Sequence, residues 1–124
     1  MPHILVVEQH NDLRAFFVTI GKDLPGLTVH AVSSAEEALA YLKQEHPKPD
    51  LILATVGTRP MSGVELLRTV KEDQELTGIP FILMSGLYEL NEDRAKNIGA
   101  QGFLQKPFAL SELQRLIRQL VPQK

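Results

Sequence analysis

The chain has no cysteine among its 124 residues. That excludes a disulfide framework, a thiolate nucleophile and a cysteine-ligated zinc site, and it suits a cytoplasmic protein. Long hydrophobic runs are also missing: the apolar stretches hold four or five residues, against the roughly 20 needed to cross a bilayer. The opening residues MPHILVVEQHN lack the basic n-region and the apolar stretch of about 7–15 residues that mark a secretory leader. Aromatic residues make up only 6%, and 13 Lys and Arg against 15 Asp and Glu leave a formal net charge of −2. Neither a dedicated nucleic-acid surface nor a membrane contact is expected from that balance.

Several chemistries lack their residues. There is no G-x-G-x-x-G and no G-x-x-x-x-G-K-[ST], the loops whose backbone amides cradle phosphates. The first candidate loop, EQHND at 8–12, carries carboxylates and no glycine, which disfavours a nucleotide or flavin phosphate. The histidines at 3, 10, 30 and 46 never stand three or four residues apart, so a helical metal pair is not expected. Ser62 and Ser85 have no positioned His and Asp partners in the sequence, which argues against nucleophilic catalysis.

What is present is regular alternation. With 44% apolar and 23% charged residues, residues 1–124 read as one globular domain able to bury a single core. Short runs rich in Val, Ile, Leu and Phe recur at His3–Val7, Leu27–Val32, Leu51–Ala54, Pro80–Met84 and Gly102–Leu104, as in strands buried on both faces of a parallel sheet. Helical stripes lie between and after them: Leu13, Phe17, Ile20 and Leu24; Ala35, Ala38, Leu39 and Leu42; Leu113, Leu116, Ile117 and Leu120. Ser34 with Glu37 forms a predicted capping box, with Ser33 and Glu36 as a second register. Asn91 is a predicted N-cap, Gly99 a helix stop, Ser111–Glu112 the start of the last helix and Pro122 a terminator.

Strict βα alternation predicts an α/β fold, an open parallel sheet with right-handed crossovers and helices on both faces. Any site then lies outside the carboxyl ends of the strands, in the loops Glu8–Asn11, Thr55–Ser62, Ser85–Glu89 and Gln105–Phe108.

The sequences in and beside those loops carry a resemblance. VVEQ at the first strand, PMSG after the third, LMSG at the fourth and FLQKPF at the fifth resemble a response regulator receiver domain of two-component signalling, over the whole chain and in order. Lys106-Pro107-Phe108 with Phe103 is the most specific element. The resemblance implies a flavodoxin-like (βα)5 three-layer sandwich with strand order 2-1-3-4-5. It also implies an aspartate phosphoacceptor ending the third strand, an acidic pair holding Mg²⁺ after the first, and a Ser or Thr and a Lys binding the phosphoryl oxygens. Ser85 and Lys106 match their positions, Glu8 matches the first acidic position, and Phe103 resembles the switch aromatic. Gln9 stands at the second acidic position and Thr55 at the acceptor. Gly63, eight residues beyond Thr55, sets that register, whereas the usual proline is one residue late, at Pro60, with Arg59 in its place.

These departures shape the functional expectation. Aspartate, with a pKa of about 3.9, is anionic at neutral pH, whereas a threonine hydroxyl needs a neighbouring base. Mg²⁺ prefers carboxylate oxygens, and Gln9 and Thr55 remove two of them. The expected protein is a degenerate, non-enzymatic receiver, acting by phosphorylation-independent interaction, with no resident cofactor and weak or absent Mg²⁺ binding. Lys106 is expected to turn to Glu8, to backbone carbonyls or to water. The alternatives are phosphotransfer to an atypical acceptor such as Thr55, Ser85 or a displaced acid, or an anion or metabolite site around Lys106, Arg59 and Ser85. The family's usual partner and dimer face corresponds to 91–120, where a kinase, output domain, other regulator or second copy would dock. The chain is expected to be either a stand-alone domain or the N-terminal part of a longer regulator.

Overall fold

A computed structural model describes residues 2–23, 26–44, 47–86 and 90–121. The elements alternate as expected: β1 (His3–Val7), α1 (Asn11–Asp23), β2 (Thr28–Val32), α2 (Ala35–Leu42), β3 (Leu51–Thr55), α3 (Gly63–Glu72), β4 (Phe81–Ser85), α4 (Glu92–Ile98), β5 (Gly102–Gln105) and α5 (Leu110–Leu120). All strand pairs are parallel and the sheet order is β2-β1-β3-β4-β5. Both follow the sequence expectation. Strand boundaries differ from it by one residue, with Thr55, Ser85 and Gln105 taken into strands.

Alternation of side chains along each strand divides the core in two. Leu5, Val7, Ile52, Ala54, Phe81 and Leu83 face α2, α3 and α4, where they meet Ala35, Leu42, Leu66, Val70 and Ala95. Ile4, Val6, Leu51, Leu53, Ile82 and Met84 face the other way, against Phe17 and Ile20 of α1 and Leu113 and Leu116 of α5. Strands β3 and β4 are buried along their whole length, which is why they read as unbroken apolar runs.

Local chemistry sets the helix ends. Ser34 caps α2 by accepting from the Glu37 amide at 3.1 Å. The reciprocal half of the predicted box is not made, because the Glu37 carboxylate accepts from the Ser33 hydroxyl instead. Glu36 is used elsewhere, accepting from the Met61 amide at 3.2 Å. A complete capping box does occur one helix later, at Ser62 and Glu65. Its S-x-x-E signal, Ser62 to Glu65, stands in the sequence directly after the loop that follows β3. Asn91 caps α4 and Gly99, at φ 121°, ends it. The last helix begins at Leu110 with Ala109 at the cap, and Glu112 accepts from the Ala109 amide at 3.3 Å, so Ser111 does not start it. Leu24, His46 and Pro122, and positions 87–89 of the third candidate loop, lie outside the described residues.

Candidate functional site

The sheet order places β1 between β2 and β3, so the chain departs from β1 in one direction and returns on its other side. Loops at such a switch point splay apart and leave a crevice. Glu8 follows β1 directly, and Thr55 ends the adjacent β3, one residue beyond the Val7–Ala54 pair. Lys106 follows β5, two strands from β3. Strands are spaced about 4.8 Å apart, so only a long side chain crosses the end of β4 to reach Thr55.

The three groups meet in one network. The Thr55 hydroxyl donates to Glu8 Oε1 at 2.6 Å. Lys106 Nζ donates to the same oxygen at 2.8 Å and to Thr55 Oγ1 at 3.1 Å. The second oxygen, Oε2, accepts from the His10 amide at 3.1 Å. Glu8 is fully buried, while the Lys106 side chain keeps 20% of its exposure. Burial pushes the Glu8 carboxyl up, but the Lys106 ammonium, the Thr55 hydroxyl and the His10 amide outweigh it. Its pKa stays below the ordinary 4.5. The Lys106–Glu8 pair expected from the sequence is therefore present, and Thr55 forms its third corner.

The remaining predicted residues do not converge on this network. Ser85 is buried, but its hydroxyl donates to the Gly86 carbonyl at 2.9 Å. Gln9 is exposed and its amide donates to the Arg59 carbonyl at 3.2 Å. Arg59 is exposed on the β3–α3 loop, and an open cleft of about 440 Å³ above the network is lined by Glu8, Gln9, His10, Asp12, Leu13, Thr55, Gly57, Gly86 and Lys106, without Arg59 or Ser85. The expected anion set of Lys106, Arg59 and Ser85 is thus not assembled, because Lys106 is held inward by Glu8 and Ser85 is turned onto its own turn. Phe103 is half-buried against the α2–α4 side of the core. Both Arg59–Pro60 and Lys106–Pro107 are cis.

Gly63 earns its place sterically. A Cβ built there would lie 2.3 Å from the Thr55 carbonyl oxygen, a contact no side chain tolerates. The glycine lets α3 begin directly beneath the end of β3, which is why its spacing identifies Thr55.

Three site residues escaped the sequence reading. Asp12 lines the cleft mouth and, among the described residues, is its only carboxylate besides Glu8; its place in the first turn of α1 was visible, its orientation was not. Thr58 is fully buried and donates to the Met61 carbonyl at 2.8 Å, fixing the β3–α3 loop. Arg14 folds back over the β1–α1 loop, donating to the carbonyls of Glu8 at 2.9 Å and Gln9 at 3.3 Å, and to Asn11. Beside the mouth, Leu13, Phe16, Pro107 and Phe108 with the Lys106 stem line a second cleft, of about 420 Å³. Phe16 is stabilised there only in part, remaining exposed.

A five-stranded parallel sheet with a lysine reaching from β5 across to the ends of β1 and β3 defines a receiver-type signalling domain. Comparison with known proteins agrees: residues 4–118 match the response regulator receiver domain family, and the chain belongs to it. It is 34% identical over 122 residues to "Two-component response regulator ORR11" of Oryza sativa subsp. indica, covering 98% of this chain and 82% of that protein. It is 29% identical to the "KDP operon transcriptional regulatory protein KdpE" of Escherichia coli K12, covering 95% of this chain and 50% of the relative. Among solved structures, a response regulator receiver domain protein from Clostridium thermocellum superposes with a TM-score of 0.86 at 22% identity, over 97% of this chain and 94% of that one. No described helix is long and apolar enough to cross a membrane.

Proposed function

We propose that this receiver domain is a phosphorylation-independent, non-enzymatic interaction module in two-component signalling. One observation carries the reading: the position of the acceptor is occupied by a neutral hydroxyl already donating to Glu8 at 2.6 Å. A hydroxyl that gives its proton to a carboxylate whose pKa is lowered is a weak nucleophile, because that carboxylate is a poor base.

The same geometry argues against a resident divalent cation. Mg²⁺ would need hard, anionic oxygens in an octahedral set. Here Glu8 Oε1 already faces an ammonium and a hydroxyl, Oε2 faces an amide N–H, and Gln9 is turned to a carbonyl. Among the described residues no three His, Cys, Asp or Glu side chains gather as a metal set. The donors present do not suit Mg²⁺, and the Lys106 ammonium supplies the positive charge instead.

The partner in this reading is a signalling protein. The 91–120 face offers it mostly polar, exposed side chains, with Glu92, Asp93, Arg94, Lys96, Asn97, Gln101 and Gln105 all exposed. Large exposed apolar side chains, Phe16, Val18 and Leu110, stand on α1 and at the start of α5.

Incubation with acetyl phosphate and Mg²⁺, read by intact mass, tests the proposal. No adduct is expected on the wild type. A stoichiometric phosphoryl adduct would overturn the reading, and its loss in Asp12→Asn or Thr55→Val would name the acceptor.

A further inference from the structure

A third cleft, of about 400 Å³, opens between α3 and α4 and is lined by Arg68, Arg94, Asn97 and Ile98. It is remote from the Glu8 network in the fold's logic: its walls are helices on one face of the sheet, and none of its lining residues touches the switch-point cleft. Arg68 and Arg94 are both exposed, and neither forms a salt bridge among the described residues. Two guanidiniums on opposite walls of one cleft repel each other unless counter-charge lies between them.

The acids of the two helices do not supply it. Glu65 is engaged in the α3 capping box, and Glu92 pairs with Lys96 at 3.9 Å. Asp73, at the end of α3, accepts from the Glu75 amide at 2.9 Å. Glu72 and Asp93 are exposed and line no part of the cleft. Lys71, one turn on from Arg68, lies beside Gly99 and points to the Thr77 carbonyl at 3.4 Å. Burial there lowers its pKa, with no carboxylate opposing the shift. Among the described residues, no acid lines this cleft to offset its two guanidiniums, in a chain whose net charge is negative.

We infer that the α3–α4 cleft binds an acidic, amphipathic segment of a partner protein. Two planar guanidinium forks match carboxylates in bidentate geometry, Asn97 adds an amide that donates and accepts, and half-buried Ile98 offers an apolar floor. Two carboxylates flanking one aliphatic side chain satisfy all four residues. An apolar contact beside the charges favours such a segment over a free oxyanion, which would leave Ile98 unused. The inference rests on the interaction-module reading and gives its partner a chemistry. It joins α4, part of the 91–120 face, to α3, which that expectation left out.

The test is a titration of the isotope-labelled full chain, followed by amide chemical shifts, with three probes: a short peptide of alternating Glu and Leu, the same peptide with Gln for Glu, and inorganic phosphate. The Glu peptide is expected to move the amides of residues 68, 94, 97 and 98, and to bind at least about tenfold more weakly when the salt concentration is raised from 50 to 500 mM, as screening requires. The Gln peptide and the Arg68→Gln/Arg94→Gln variant are each expected to lose about tenfold or more in affinity, with the variant's thermal melt unchanged. Equal binding of both peptides, shifts elsewhere on the surface, or binding that survives in the variant would overturn the proposal. So would inorganic phosphate matching the Glu peptide, since that describes a small-anion site. Binding is measured without phosphodonor and again after acetyl phosphate and Mg²⁺. Affinity that appears only in the second case refutes phosphorylation independence while leaving the cleft's assignment standing.

Discussion

Replacing Lys106 with methionine isolates the energetic role of the network. The substitution keeps an unbranched side chain of similar reach and removes only the ammonium. Glu8 is left fully buried with two donors, the Thr55 hydroxyl and the His10 amide. Breaking a buried ion pair from one side costs about 3–5 kcal/mol. Because the Lys106 side chain retains 20% exposure and Glu8 keeps both other donors, the cost falls at or just below the foot of that range, about 2–3 kcal/mol. For a domain of this size that corresponds to a fall of roughly 8–12 °C in Tm.

The pH dependence has a definite sign. In the wild type the folded pKa of Glu8 is lowered, so its contribution is present above the ordinary 4.5 and is lost as pH falls through the lowered value. In Lys106→Met the ammonium no longer offsets burial, and the folded pKa is expected to rise above 4.5. The variant is then most stable below 4.5 and loses stability as pH rises through the raised value. The gap between the two proteins should be widest at pH 7 and narrow toward pH 4. Chemical denaturation of the wild type, Lys106→Met, Glu8→Gln and the double variant, at both pH values, measures it. The double variant should recover much of the loss, since two neutral groups leave no buried charge unpaired. A Lys106→Met protein as stable as wild type at pH 7, or a deficit that does not shrink at pH 4, would refute the argument.

Three further outcomes follow from contacts already described. Gly63→Ala places a Cβ 2.3 Å from the Thr55 carbonyl; because the obstacle is backbone, a loss of about 3 kcal/mol is expected, at the upper end of overpacking effects, and a melt within 1 kcal/mol of wild type would contradict it. Ser62→Ala removes the cap of α3 and should cost about 1 kcal/mol, measured by urea unfolding; no loss would mean that the Glu65 interaction alone holds the helix end. Thr55→Asp combined with Gln9→Asp restores two carboxylates beside Glu8, and should gain a Mg²⁺-dependent phosphoryl adduct with acetyl phosphate that intact mass detects. Failure of that variant, if folded, would show that the site's loop geometry as well as its charges has diverged.

The fold was legible because its signals are local or periodic. Five apolar runs, the stripes at Phe17–Ile20, Ala35–Leu42 and Leu113–Leu116, and the caps Ser34 and Asn91 each rest on residues near one another in sequence. The errors were of the same local kind: Ser111–Glu112 looked like the helix start, but helical backbone already begins at Leu110 with Ala109 at the cap, and Glu37 prefers the Ser33 hydroxyl to the Ser34 amide. Gly63 also has a steric reason, because a side chain there would meet the Thr55 carbonyl where α3 starts under β3.

Orientation was the part sequence could not carry. Lys106 and Ser85 stand at matching positions and read as equals, yet one reaches the network and the other closes its own turn. The difference arises from which groups have somewhere to go. An ammonium beside a buried carboxylate gains an ion pair that a serine hydroxyl cannot equal, whereas the Gly86 carbonyl lies one residue away and costs Ser85 little ordering. The same reasoning explains why Arg14 was missed. Its hydrogen bonds run to backbone carbonyls of residues 8 and 9, which every sequence supplies and none advertises. Glu8, Thr55 and Lys106 satisfy one another, and on the reading proposed above that mutual satisfaction is what leaves little unmet polarity to draw in a phosphoryl group or a cation.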